Sequence, residues 1–127
     1  MSLTENVVSV MLPVTDVDRA QQFYTSRLGL PHEGMTADGG ARLGLGGGAT
    51  LVLLPRPAGS QSESTAMSWR VSDIEKEVAK LEADGVVFQD YDLPDLKTVD
   101  HVCVLDSEKA AWFTDPDGNV LCIHEDT

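Results

Sequence analysis

The sequence predicts an α+β fold built from two tandem βαβββ modules, and three observations carry that expectation. The chain has 127 residues, enough for one domain and too few for two ordinary ones. Hydrophobic residues make up 42% and charged residues 24%, with no long low-complexity tract, so a packed core is expected. Above all, one segment recurs. Val14-Thr15-Asp16-Val17-Asp18-Arg19 and Val71-Ser72-Asp73-Ile74-Glu75-Lys76 match position by position at an offset of 57, each after an apolar, strand-like run and each opening a helical pattern.

The first module, residues 5–54, begins with a strand from Val7 to Val14. Thr15 and Asp18 then form a short version of a capping box, and Val17, Ala20, Phe23, Tyr24 and Leu28 recur at helical spacing before Gly29 ends the helix. Strands follow at Leu30 to Thr36, Arg42 to Leu45 and Leu51 to Leu54, with Asp38-Gly39 as a tight turn between the first two. Pro55 to Thr65 is rich in Pro, Gly and Ser, which is a linker composition. The second module, residues 66–127, repeats the order. A strand from Met67 to Val71 leads into a capping box of Ser72 and Glu75, then a helix on Ile74, Val78 and Leu81 that ends at Gly85. Strands are expected at Val86 to Tyr91, His101 to Leu105, Ala110 to Thr114 and Val120 to His124. Asp115-Pro116-Asp117-Gly118 fits a type I turn, and the turn-rich segment Tyr91 to Thr98 is expected as a lid-like loop. Each module is near the lower size limit for a self-sufficient core, so residues 1–127 are expected to act as a single domain in which each half buries its sheet against a partner half, in the same chain or in a second copy.

Charge narrows the function classes. With 21 Asp+Glu against 9 Lys+Arg the formal charge is -12, which argues against nucleic acid as a partner, because phosphate-backbone binding depends on cationic side chains. Residues 1–65 hold 6 acidic and 4 basic side chains, whereas residues 66–127 hold 15 and 5. Much of that acidity falls in expected loops and turns, at Asp92, Asp95, Asp100, Asp106, Glu108, Asp115 and Asp117. No apolar run is long enough to suggest a membrane span. Two cysteines, Cys103 and Cys122, make no disulfide framework, and no signal-like N-terminus is present, so a cytoplasmic setting is expected.

Val14-Thr15-Asp16-Val17 leading to Phe23-Tyr24 and Leu28-Gly29-Leu30, with Trp112-Phe113-Thr114-Asp115-Pro116-Asp117-Gly118-Asn119 near the end, resembles the glyoxalase/bleomycin-resistance/extradiol-dioxygenase superfamily, also called the vicinal oxygen chelate superfamily. The resemblance covers nearly the whole chain. It implies modules whose sheets curl into a mixed sheet around a cleft, often completed by dimerisation. It also implies four inward positions that hold a divalent ion in the metal-dependent members. Those positions fall here at Ser9, Val52, Ala66 and Cys122, a set with no His or carboxylate. Metal-dependent catalysis is therefore not expected of the usual ligand set, and neither a metal nor a cofactor is expected.

Side chains two apart on a strand share a face, so the resemblance extends the cleft lining to Met11, Thr50, Leu54, Ser68, Arg70, Val120 and His124. The lining would be small and apolar, with Arg70 and His124 as its polar exceptions. Arg70 suits either an anion clamp or an ion pair with a nearby acid, and His124 either a general base or an exposed terminal residue. Trp69, Tyr91, Trp112 and Phe113 offer stacking surfaces or ordinary core, with Trp112 taken into the ligand set. Cys122 and His124 share a strand face and, with His101 or His32, would make a non-standard metal site.

Two motif matches are rejected. Gly44-Leu45-Gly46-Gly47-Gly48-Ala49 fits the dinucleotide glycine pattern as a string, but a strand follows it and not the helix that phosphate binding requires. Asp115 and Asp117 lack the remaining oxygens of a calcium loop. The expected function is binding of a small organic molecule in the cleft of a homodimer, without metal, in a sequestration or resistance role. The alternative is a metal-dependent lyase or dioxygenase that uses non-standard ligands such as His101, Cys122 and His124.

Overall fold

A computed structural model describes residues 2–127. The chain divides into two compact units, the first reaching Gln61 and the second running Ser62–Thr127, so the division falls inside the Pro/Gly/Ser-rich stretch.

In the first unit β1 (Ser9–Val14), α1 (Val17–Gln22), β2 (His32–Met35), β3 (Ala41–Gly44) and β4 (Thr50–Pro55) follow in the expected order. The sheet order is β1-β4-β3-β2, with β1 parallel to β4 and the other pairs antiparallel. Alternation along the strands sorts the side chains. Leu12, Val14, Ala41, Leu43, Leu51 and Leu53 are buried on one face, together with Ala20 and Tyr24 of the helical segment. α1 passes into a π-helical turn at Phe23–Arg27 and ends at Gly29, whose φ of 75° suits a left-handed terminator. Between β2 and β3, a side chain on Gly40 would run into the Leu53 carbonyl and the Thr36 hydroxyl, so only glycine fits there. Gly46–Gly48 is a tight 3-10 turn closed by Leu45 N–H donating to the Ala49 carbonyl (2.8 Å), which makes the glycine run a hairpin connection.

The second unit holds β5 (Thr65–Arg70), α2 (Ile74–Ala83), β6 (Phe88–Gln89), β7 (Asp92–Leu93), β8 (Leu96–Val99), β9 (Val102–Val104), β10 (Glu108–Thr114) and β11 (Val120–Asp126). Its sheet order is β5-β11-β10-β9-β8-β7, with β6 also on β10 and β5 parallel to β11. Ile74, Val78 and Leu81 form the buried stripe of α2, while Ala111, Phe113, Leu121 and Ile123 fill the helix-side face of the sheet. Phe113 stacks near Trp69 (6.4 Å) and meets Phe88 edge-on (5.4 Å), so Phe113 is a core aromatic and Trp69 packs half-buried at the core's margin.

Two expectations change. The segment Tyr91 to Thr98 is no lid: β7 and β8 pair as a hairpin that extends the sheet beyond β9, and Thr98 N–H donates to the Tyr91 carbonyl (2.9 Å). The helix caps also sit one residue later than the boxes predicted. Asp16 and Asp73, 57 residues apart, accept from the N–H of Arg19 (3.0 Å) and Lys76 (3.2 Å). A short carboxylate at the last extended residue reaches the third helical N–H directly, so Thr15 and Ser72 do not cap.

The Asp115 to Asn119 turn forms as expected, closed by Gly118 N–H on the Asp115 carbonyl (3.0 Å). Buried Asp115 accepts from Asp117 N–H, Asn119 N–H and the Asn119 amide, while Asn119 is buried beside it. Asp115 and Asn119 thus satisfy one another inside the turn. No helix among the described residues is long and apolar enough to cross a membrane.

Candidate functional site

Each sheet has one face under its helix and one open face, and the candidate residues sort by this rule. In the first unit Ser9 and Met11 of β1 share the open face with their register partners Thr50 and Val52 of β4. The Ser9 and Thr50 hydroxyls are hydrogen-bonded at 2.8 Å. Met11 is half exposed, whereas Val52 beneath its neighbours is 5% exposed. Arg42 of β3 pairs with Val52 and completes the row Met11, Val52, Arg42 across three strands.

In the second unit the open face carries a shallow depression of about 340 Å³. Ser68, Trp112, Cys122 and His124 line it, together with Thr65, Glu108 and Ala110. The register explains the grouping: Ser68 and Trp112 both lie opposite Cys122, one on each side. The Ser68 hydroxyl lies 2.6 Å from His124 Nδ1, so a hydroxyl and an imidazole from neighbouring strands act as one unit. Trp112 Nε1 donates to the Thr65 hydroxyl (3.2 Å), and Tyr91 meets the Trp112 ring edge-on at 5.6 Å. The indole is thereby held from two sides in the depression that the Ser68–His124 pair also lines.

Ala66 and Arg70 are not in this lining. Between β5 and β11 the pairing jumps from Thr65–Val120 to Met67–Leu121, so Ala66 is the extra residue of a β-bulge. The bulge brings Thr65 to the position that simple alternation assigns to Ala66. Arg70 is exposed at the end of an edge strand and pairs with Asp126 (3.6 Å), which is the ion-pair reading of that residue. The charge of the depression is corrected as well: Glu108 contributes a carboxylate, and no cation lines it.

The four positions at which the resemblance places metal ligands do not suit a divalent ion. The Ser9 hydroxyl is engaged by Thr50, and Val52 and Ala66 carry no donor atom. Burial pushes the Cys122 thiol up, against the opposing effect of the Ser68 hydroxyl, and this one soft donor falls short of the three or four protein ligands that a divalent site needs. The non-standard set is not assembled either. His101 sits in the β8–β9 turn, with Nδ1 2.8 Å from Asp90 and Nε2 3.2 Å from Glu82. Among the described residues, the one trio of His, Cys, Asp or Glu ligand atoms lying within 4.8 Å of one another is Asp73, Glu75 and Glu125. These acids have other work: Asp73 caps α2, Glu125 accepts from Ile74 N–H (2.8 Å) and Glu75 binds Lys109 (3.0 Å).

Of the residues missed, Arg42 was legible, because a hairpin centred on the glycine run aligns it with Val52. Thr65 was not, since nothing in the local composition marks the bulge.

A sequence-family model described as Glyoxalase/Bleomycin resistance protein/Dioxygenase superfamily matches residues 6–123. No curated protein sequence matches significantly. Among solved structures, the chain is similar to TnmS3, an antibiotic binding protein from Streptomyces sp. CB03234, at 23% identity and a TM-score of 0.71, covering 96% of each chain. It is similar to a glyoxalase/bleomycin resistance protein/dioxygenase from Alicyclobacillus acidocaldarius at 21% identity and a TM-score of 0.69, covering 99% of this chain and 95% of that one. Lactoylglutathione lyase from Agrobacterium tumefaciens gives 15% identity and a TM-score of 0.64, covering 94% and 92%. At these identities the likeness shows the fold.

Proposed function

The chain belongs to the Glyoxalase/Bleomycin resistance protein/Dioxygenase superfamily, and from that premise we propose that it binds a small organic molecule on the open faces of its sheets, without metal, in a sequestration or resistance role. The observation that carries this reading is that the Ser68–His124 pair and the anchored Trp112 ring line one depression of the second unit. An indole face gives a planar ligand a stacking partner, and an anchored imidazole gives it one directed polar contact. The likeness to an antibiotic binding protein supports the same reading. Metal-dependent lyase or dioxygenase chemistry draws no support from the donor set, because Cys122 is a single soft donor at the four expected positions and His101 is engaged by two carboxylates.

A homodimer in the cytoplasm belongs to the same proposal. It is supported by the small size of each unit and by two free, buried thiols.

Thermal-shift screening of the full chain against small organic molecules is the test, since binding to the native state raises stability by mass action. The expected result is a ligand-dependent rise in melting temperature that shrinks in Trp112→Ala and His124→Ala. A library that leaves the melting temperature unmoved would overturn the binding reading. Stoichiometric Zn, Mn, Fe or Ni in elemental analysis of the purified protein would overturn its metal-free part.

A further inference from the structure

We propose that Arg42 makes the open face of the first unit a subsite for an oxyanion, a carboxylate or sulfonate, carried on an apolar ring. The proposal rests on the ligand-binding reading above and specifies the class of ligand.

The argument starts from what the cations of this unit do. Residues 1–65 contain four arginines. Arg19 donates to the Thr15 hydroxyl, Arg56 donates to the Pro55 carbonyl and pairs with Asp38, and Arg27 is also engaged. The Arg42 side chain has no hydrogen bond or ion pair among the described residues. Its guanidinium is thus an unclaimed positive charge in an acidic protein, where carboxylates outnumber cations.

Position separates Arg42 from an ordinary solvated arginine. It lies on an inner strand, opposite Val52, with Met11 on the far side of Val52. The row therefore presents an apolar floor next to a free cation. In the next row Gly44 lies opposite Thr50, which lies beside Ser9, so a residue without a side chain adjoins two hydroxyls. A carboxylate also approaches this face. Glu33 is the bulged residue of β2, and its Oε2 lies 2.8 Å from where a Cβ on Gly44 would stand. It nevertheless makes no ion pair with Arg42. A guanidinium offers a planar fork of donors that matches a carboxylate or sulfonate, while its hydrocarbon stem lies along apolar surface. An anionic group on an apolar ring satisfies both halves of this row together.

Two fluorescent probes with a shared ring system isolate the charge. 8-Anilinonaphthalene-1-sulfonate carries a sulfonate, and N-phenyl-1-naphthylamine is its neutral counterpart. In fluorescence titrations of the full chain, the sulfonate is expected to bind more tightly than the amine. Arg42→Gln is expected to weaken the sulfonate roughly five- to tenfold and leave the amine unchanged, with partial rescue by Arg42→Lys. Arg56→Gln, which removes a cation already paired elsewhere, is expected to change neither. Equal loss of both probes in Arg42→Gln, or no loss of either, overturns the subsite while leaving ligand binding in place. Failure of both probes to bind the unaltered chain overturns the subsite and counts against the ligand-binding reading as well.

Discussion

Two residues show how single positions carry this fold. At Gly40 a methyl group would meet the carbonyl of Leu53 on a core strand, and backbone there cannot retreat without breaking its ladder. Gly40→Ala is expected to cost about 2 kcal/mol by overpacking, read as a fall in the urea midpoint at constant slope. His101 is the second case. It holds a left-handed φ of 73° and stacks near Phe88 (5.9 Å), between carboxylates from two elements. The hydrogen bond to Asp90 raises its pKa above the ordinary 6.5, burial opposes this, and the charges of Asp90 and Glu82 add to the rise. A raised folded-state value means that the stabilisation is complete below about 6.5 and is lost as pH climbs through the higher, folded value. Melting temperature should therefore fall across that interval in the unaltered protein, and His101→Asn should flatten the profile. An identical pH profile in the two proteins would show that the two carboxylates do not act through His101.

At the scale of elements, the repeat proves to be a repeat of caps. Asp73→Ala is expected to cost about 1 kcal/mol, whereas Ser72→Ala should stay within about 0.5 kcal/mol of the unaltered protein. Chemical denaturation of the two variants decides between Asp73 and Ser72 as the cap. The helices, their terminating glycines and all the longer strands were legible in the sequence, because apolar periodicity and turn residues act locally. The β7–β8 hairpin was not, since Pro94-Asp95 reads as loop and its strands are short and polar until the edge of β9 gives them a partner. The bulge at Ala66 escaped for the same reason: register is a property of two strands together, and one strand's sequence does not contain it. In the lining of the depression Thr65 therefore stands where alternation expects Ala66, beside Ser68, Trp112, Cys122 and His124.

At the scale of the whole molecule, two units of similar size are joined by a polar stretch whose residues are largely exposed. Loop-closure entropy grows slowly with length, so doubling this stretch with Gly and Ser at the Gln61–Ser62 junction should cost no more than about 0.6 kcal/mol. A larger loss in chemical denaturation would assign the stretch a packing role of its own. The acidity, concentrated after residue 65, also acquires a location. Asp115 belongs to a buried turn, Asp73 and Glu125 to a helix start, Asp90 and Glu82 to His101, and Glu108 alone reaches the depression. Most of the charge that composition assigns to solubility is spent on holding backbone and cations in place.

The turns have a consequence for the protein's chemical lifetime. Asp-Gly peptides age by attack of the glycine nitrogen on the preceding carboxyl, which forms a cyclic imide and then isoaspartate. In all three such sequences here, Asp38-Gly39, Asp84-Gly85 and Asp117-Gly118, that N–H donates to a carbonyl, of Thr36 at 3.1 Å, Glu82 at 3.0 Å and Asp115 at 3.0 Å. The folded chain should accumulate isoaspartate far more slowly than the unfolded chain, as read by mass spectrometry after prolonged incubation, and its appearance would date the moments when a turn had opened.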